Sequence, residues 1–416
     1  MAPVAKLKRK NPLARTPIPL LPPGARSRKA HDLTRAAARG RFALHRCGNC
    51  GMFCYPAPEA CPACLSDDLA ISDAPATGIV LSATNIEIPA SNYFRERAPW
   101  MIGLVKMDCG PTALCHLHPA SQETMPVYLH LKLDEAGQAV LYGAPKGADL
   151  TQDKKWRQMT ANPRNRRVLI TDGRHPITPP LVDALIKAGA EEIYVGVPDS
   201  WVPHPHLEPL RVQEDVFLIP LDLSDEKSVE DLARDYGAKI EILINTADYL
   251  RPGGILAANQ VNVIKEAMER VVFGTLRLAQ AIAPVMRSRG SDGARDAVAW
   301  VNLLSVFGQA QAPDLAAYSV SQAAAQALSL HVRAELAQGG VRLLNVTSGP
   351  TESEWYQHFP QPKIGHKALV DAVMAGLTQG LEDIVVGDFA RDIVQRLESN
   401  PKALERELLF KKNQGV

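Results

Sequence analysis

The chain lacks any apolar run approaching the roughly 18 residues that a membrane-crossing helix needs. Its first residues lack the apolar core of a secretory signal, because Leu20-Leu21 is broken at once by Pro22-Pro23. A bias of charge is missing as well. The net charge is +1 over 416 residues, so bulk electrostatics points to neither nucleic acid nor membrane. Only seven cysteines occur, and four of them have metal-ligand spacing rather than disulfide spacing. These features together lead us to expect a cytoplasmic protein. No internal repeat is apparent.

With 46% hydrophobic and 22% charged residues, the composition is that of a globular chain long enough for two or three domains. Charge is nevertheless uneven. Eight Lys/Arg residues and no acid precede Asp32 in a Pro-rich stretch, among them Lys6, Lys8, Arg9 and Lys10. The reading is a solvated basic arm over 1–30. A short helix is expected from His31 to Arg41, with Leu33, Ala36 and Ala37 on one face and Gly40 as its stop. It leads into a ribbon, so that 31–70 forms one unit. Short β-branched or alternating runs separated by turns predict a small barrel over 71–147. A polar, basic linker spans 148–165, with Lys154, Lys155, Arg157 and Arg164 before Arg166 and Arg167. From 166 to 416 apolar strands alternate with helical patterns, which predicts a doubly wound parallel sheet.

Cys47-Gly48-Asn49-Cys50 and Cys61-Pro62-Ala63-Cys64 each aim two thiolates at one point. Two such turns complete a tetrahedron around zinc, and a site with four protein ligands is structural rather than catalytic. Cys54 falls off this spacing and reads as a packing residue. The ribbon, its preceding helix, Gly78-Ile79-Val80 and Pro99-Trp100 before Ile102-Gly103-Leu104-Val105 resemble the family called domain of unknown function 35. That family joins a rubredoxin-like zinc ribbon to an OB fold. The resemblance implies acyl-CoA chemistry and a thiolase-fold partner. Binding of nucleic acid through the barrel is not expected, since the segment is not notably basic and lacks evenly interleaved aromatics.

The last 251 residues resemble the short-chain dehydrogenase/reductase family. The motifs are Thr171 followed by an altered glycine loop, Leu221-Asp222-Leu223-Ser224-Asp225, Asn245-Thr246-Ala247-Asp248, Val301 to Gly308, and Tyr318 thirteen residues after Ser305. The resemblance implies a Rossmann-like fold, with Ser305 and Tyr318 in the catalytic positions, Asp222 at the adenine and Asn245 in the cofactor motif. Several residues depart from the pattern. Asp172, Pro176 and Thr178 replace the three glycines, Val271 replaces an Asn, and Gln322 replaces the Lys that follows Tyr by four. Glycines there let pyrophosphate approach backbone N–H groups, and the Lys lowers the pKa of the Tyr phenol.

Read this way, the eroded signatures predict that NAD(P) is not bound and that Ser305 and Tyr318 are a remnant pair. The expectation is a non-catalytic or weakly active, zinc-containing subunit that binds acyl-CoA or a thiolase-fold enzyme. The dehydrogenase-like half would serve as a scaffold, dimerising through the helices after Gly274 and around Tyr318. The alternative is an NAD(P)H-dependent short-chain reductase of a 3-oxoacyl-CoA or other carbonyl substrate, using Ser305 and Tyr318.

Overall fold

The computed structural model describes residues 20–24, 27–198, 202–289, 297–353, 356–357, 359 and 363–410. The arm residues Lys6 to Lys10 lie outside the described residues. Helix α1 (Asp32–Ala38) buries Leu33, Ala36, Ala37 and Ala38, as its apolar stripe predicts. It precedes a three-stranded antiparallel sheet of β1 (Ala43–Cys47), β2 (Phe53–Cys54) and β3 (Leu69–Asp73), in the order β2-β1-β3.

Five further strands close a barrel: β4 (Thr77–Ile86), β5 (Trp100–Met107), β6 (Thr112–Leu117), β7 (Pro126–Leu133) and β8 (Ala139–Pro145). The period-two rule is visible in β7, where Val127, Leu129, Leu131 and Leu133 are buried and Tyr128 is exposed. A helix crosses the β4–β5 connection, α2 (Asn92–Glu96). Residues 148–165 are more ordered than a polar linker suggests. They carry α3 (Lys154–Gln158), capped by the Asp153 carboxylate. The Trp156 ring in α3 packs 5.3 Å from Tyr142 and 5.0 Å from His130. Its neighbour Lys155 donates from Nζ to the Leu117 carbonyl at 2.9 Å. The basic residues of this segment thus help to close the barrel.

The C-terminal half holds seven parallel strands in the order β11-β10-β9-β12-β13-β14-β15. They are β9 (Arg167–Ile170), β10 (Glu192–Val197), β11 (Val216–Pro220), β12 (Ile242–Asn245), β13 (Ala299–Ser305), β14 (Arg342–Ser348) and β15 (Asp383–Val386). One face carries α4 (Thr178–Lys187), α5 (Glu208–Arg211) and, later in the chain, His366–Gln379. The other carries α6 (Glu226–Tyr236), α7 (Gln260–Ala267), α8 (Gly274–Arg289) and α9 (Ala316–Ala337). His366–Gln379 is α10, followed by α11 (Asp388–Ser399) and α12 (Pro401–Phe410). Two apolar clusters fill the two faces, one around Val168, Leu181 and Val373, the other around Leu169, Leu278 and Trp300. Because both faces are covered, the strands read as continuous apolar runs.

The two halves are stitched together by buried polar contacts. Arg342 of β14 donates to the carbonyls of Met159 and Leu133, both at 2.9 Å. Lys132 of β7 donates to the Gln379 carbonyl at 2.6 Å. At the start of the order, β10 and β11 lie to one side of β9 while β12 lies to the other. The crevice outside the carboxyl ends of β9 and β12 is therefore a switch point, where parallel sheets place their ligands.

Candidate active site

The turn after β9 shows how the chain compensates for missing glycines. Gly173 supplies the close approach. A Cβ there would meet Leu207 at 2.7 Å and Val195 at 2.8 Å. Asp172, which replaces the first glycine, closes a ring with Arg174: its carboxylate accepts from the Arg174 amide at 2.8 Å, from Nε at 3.1 Å and from a terminal guanidinium nitrogen at 3.0 Å. Thr178 begins α4, and its hydroxyl donates to the Asp172 carbonyl at 2.7 Å, locking the turn. The Asp172 amide donates to Thr246 Oγ1 and the Gly173 amide to the Gly196 carbonyl. With these N–H groups engaged, positive charge at the crevice comes from side chains.

Those side chains line a cleft of about 150 Å³ bounded by Thr171, Asp172, Arg174, Asp222, Asp248 and Arg270. Arg270 comes from a π-helical turn, Met268–Phe273, between α7 and α8. Such turns re-aim side chains and recur at functional sites. Val271 in the same turn is buried in the core, so the position read as a lost Asn has become packing. Asp222 opens on the cleft as expected, its carboxylate also capping Ser224. Asn245 does not. It is buried and bonded on all sides, accepting from Thr171 Oγ1 and the Ala247 amide and donating to Thr275 and Asn302. Its work is to tie β9, β12 and β13 together at the floor of the crevice.

Ser305 ends β13 and Tyr318 lies in the first turn of α9, both buried. Ser305 bears on the electrostatics of the Tyr318 phenol, so the structure brings the expected pair together. Gln322, one turn beyond Tyr318, accepts from the Ser305 amide at 2.9 Å. It thereby positions Ser305 rather than supplying a cation. Two members of the cluster went unrecognised in the sequence, Asp248 and Tyr356. The Tyr356 ring lies 6.5 Å from that of Tyr318. Asp248 is exposed on the cleft and accepts from the Tyr249 amide at 2.9 Å. Burial, followed by the charge of Asp248, holds the Tyr318 phenol well above its ordinary pKa. Asp248 could have been flagged as an acid at the last position of Asn245-Thr246-Ala247-Asp248. Tyr356, in an aperiodic loop, gave no signal.

The second cluster lies beside the three-stranded sheet of β1, β2 and β3. The sulfurs of Cys47, Cys50, Cys61 and Cys64 all lie within 4.8 Å of one another. Cys47 and Cys64 are 3.6 Å apart, Cys50 and Cys61 3.5 Å. Tetrahedral zinc with Zn–S bonds of about 2.3 Å sets its sulfurs about 3.8 Å apart, so the cluster could hold a metal ion. Cys54 is buried and packs against the cluster without being one of its four sulfurs. Among the described residues no helix is long and apolar enough to cross a membrane.

Comparison with known proteins bears on the larger half. The short chain dehydrogenase family matches residues 166–363. A short-chain dehydrogenase of Burkholderia cenocepacia, solved in complex with NADP, is 31% identical with a TM-score of 0.53, covering 59% of this chain and 98% of that one. An uncharacterized oxidoreductase of Staphylococcus aureus is 25% identical over 173 residues, 40% of this chain and 72% of that protein. A short-chain dehydrogenase of Penicillium ochrochloron is 32% identical over 154 residues, 36% of this chain and 53% of the relative. These findings overturn the expectation of a non-catalytic subunit serving acyl-CoA or a thiolase-fold partner, and with it the expectation that NAD(P) is not bound. Glycine loss was given too much weight: Gly173 preserves the turn, Arg174 offsets Asp172, and the Ser305–Tyr318 pair is intact.

Proposed function

The chain belongs, through residues 166–363, to the short-chain dehydrogenase family, and on that premise we propose that it is an NAD(P)-dependent oxidoreductase interconverting a carbonyl and an alcohol at Ser305 and Tyr318. The observation that carries the reading is that Ser305, at the carboxyl end of β13, and Tyr318, in the first turn of α9, are buried together, with Ser305 held by Gln322 one turn beyond Tyr318. The donor set fits a dinucleotide: Arg174 and Arg270 would hold phosphate, and Asp222 the adenine. A reduced nicotinamide, when bound, supplies hydride. Ser305 and Tyr318 hydrogen-bond the carbonyl oxygen and stabilise the negative charge that grows there. Because Tyr318 is held as a neutral phenol, it is suited to donating a proton, which favours reduction of a carbonyl. The absence of a Lys at position 322 weakens acid–base catalysis, an effect typically worth about 10²–10⁴ in rate.

Supporting the same reading, Cys47, Cys50, Cys61 and Cys64 would hold one structural zinc in the ribbon. The barrel's strand order, with β8 between β6 and β7, supports an OB-type fold. A homodimer through α8 and α9 is supported by Phe273, Val320 and Leu330, which are exposed although large and apolar. Leu278 and Ala279 of α8 are buried within the subunit and do not belong to that surface. The test is NADPH oxidation by the full chain against a panel of ketones and aldehydes. Turnover that is lost in Ser305→Ala and Tyr318→Phe supports the proposal, and turnover equal in wild type and Tyr318→Phe would sink it.

A further inference from the structure

We propose that a second anion site, distinct from the dinucleotide cleft, lies at the junction of the two halves and takes inorganic phosphate or a small phosphomonoester. A cavity of about 260 Å³ opens there, and five cations stand on its walls: Arg97, Lys154, Arg157, Arg166 and Arg342. They come from separate elements. Arg97 follows α2, Lys154 and Arg157 belong to α3, Arg166 precedes β9, and Arg342 lies in β14. Among the described residues, Glu135 of the β7–β8 turn is the one acid on the same walls.

The protein neutralises these cations only in part. Arg97 lies 3.8 Å from the Glu135 carboxylate and 3.7 Å from that of Glu96. Among the described residues, Lys154, Arg157 and Arg342 have no carboxylate at ion-pair distance. Arg342 directs both terminal nitrogens to the uncharged Met159 and Leu133 carbonyls, and Arg157 reaches the Arg164 carbonyl at 3.3 Å. Arg166 is only 8% exposed. Burial holds the Arg342 guanidinium below its ordinary pKa, against the pull of Glu382, Glu135 and Asp134. A charge taken out of water is costly unless an opposite charge meets it, and cations around one small space also repel each other. An anion in the cavity relieves both.

The walls also select the ligand. Guanidinium forks match phosphate oxygens two at a time, and the Lys154 ammonium adds a point charge. The volume falls below the roughly 300–1,000 Å³ of pockets for drug-sized ligands, so the occupant is small. Leu20, Leu21, Ala297 and Val298 form an apolar stretch of the same wall, against which the carbon part of a phosphomonoester can pack. Lys154 is exposed and Arg157 half-buried, so these two are the cations that solvent reaches most readily. A phosphate that meets both α3 and β14 links the barrel to the parallel sheet, and its binding stabilises the junction.

The experiment is calorimetric titration of the full chain with inorganic phosphate, at an ionic strength held constant with potassium chloride. Wild type should show saturable binding, and phosphate should raise Tm above its value in chloride. Lys154→Gln combined with Arg157→Gln should weaken that binding by about tenfold or more and erase the gain in Tm. Each single variant should lose part of the affinity, and Arg157→Lys, which keeps the charge, should bind more tightly than Arg157→Gln. These single changes decide the matter if the double variant folds poorly. Arg174→Ala, which strips a cation from the dinucleotide cleft, should leave the junction site intact. No saturable binding by wild type would overturn the proposal, as would equal binding by wild type and all the Lys154 and Arg157 variants. Binding abolished by Arg174→Ala would overturn it too, by assigning the phosphate to the dinucleotide cleft. None of these readouts uses NADPH or turnover, so this site and the reductase reading stand or fall separately.

Discussion

Replacing Gln322 by Met keeps the length and much of the volume of the side chain but removes the acceptor for the Ser305 amide. That amide is buried at the end of β13, 2.9 Å from the Gln322 oxygen, and Gln322 itself is only 2% exposed. An orphaned buried donor costs about 1–3 kcal/mol. In a domain of this size each kcal/mol lowers Tm by about 2–4 °C, so a fall of about 2–12 °C is expected. The same change loosens Ser305 against Tyr318, and kcat should drop with little change in NADPH affinity. Differential scanning calorimetry and steady-state kinetics on wild type, Gln322→Met and Tyr318→Phe read both effects. Tyr318→Phe should abolish turnover with a smaller shift in Tm. A Gln322→Met chain as stable and active as wild type would refute the idea that this residue holds Ser305 in place.

Elemental analysis should find one zinc per chain, and Cys61→Ser should release it and unfold the ribbon, because metal binding supplies folding energy there. Arg174→Ala removes a guanidinium from the cleft and leaves Asp172 unpaired, so NADPH affinity should fall by about tenfold or more with the Tm little changed. Arg342→Met strips the buried donors from the Met159 and Leu133 carbonyls, and should lower stability by about 2–6 kcal/mol, read by urea denaturation.

The architecture was legible because it rests on periodicity. Alternation in β7, the stripe of α1 and the apolar runs of β9 to β14 each report a local burial pattern that tertiary structure respects. The paired Cys-x-x-Cys turns were equally direct, since their spacing alone brings four sulfurs together. The site was harder to read for two physical reasons. Losing a glycine matters only if no neighbour restores the turn and the charge, and Gly173 and Arg174 lie beside Asp172 where a position-by-position comparison does not look. Likewise, Gln322 loses a cation but gains a partner in the Ser305 amide, 17 residues back on a neighbouring strand. Tyr356, whose ring packs near that of Tyr318, comes from 38 residues further along the chain, and only the folded sheet joins them. The basic residues of 148–165 read as a polar linker, whereas Lys155 reaches a barrel carbonyl from a short helix.

The central claim is that an altered phosphate turn still serves a dinucleotide and a working Ser305–Tyr318 pair. Calorimetric titration of the full chain with NADPH and NADH, followed by turnover of a carbonyl substrate with the tighter of the two, tests it most directly. Saturable binding at micromolar nucleotide, weakened by Arg174→Ala, together with reduction that Tyr318→Phe abolishes, is the expected result. No binding of either nucleotide at millimolar concentration by the folded, zinc-loaded chain would contradict it.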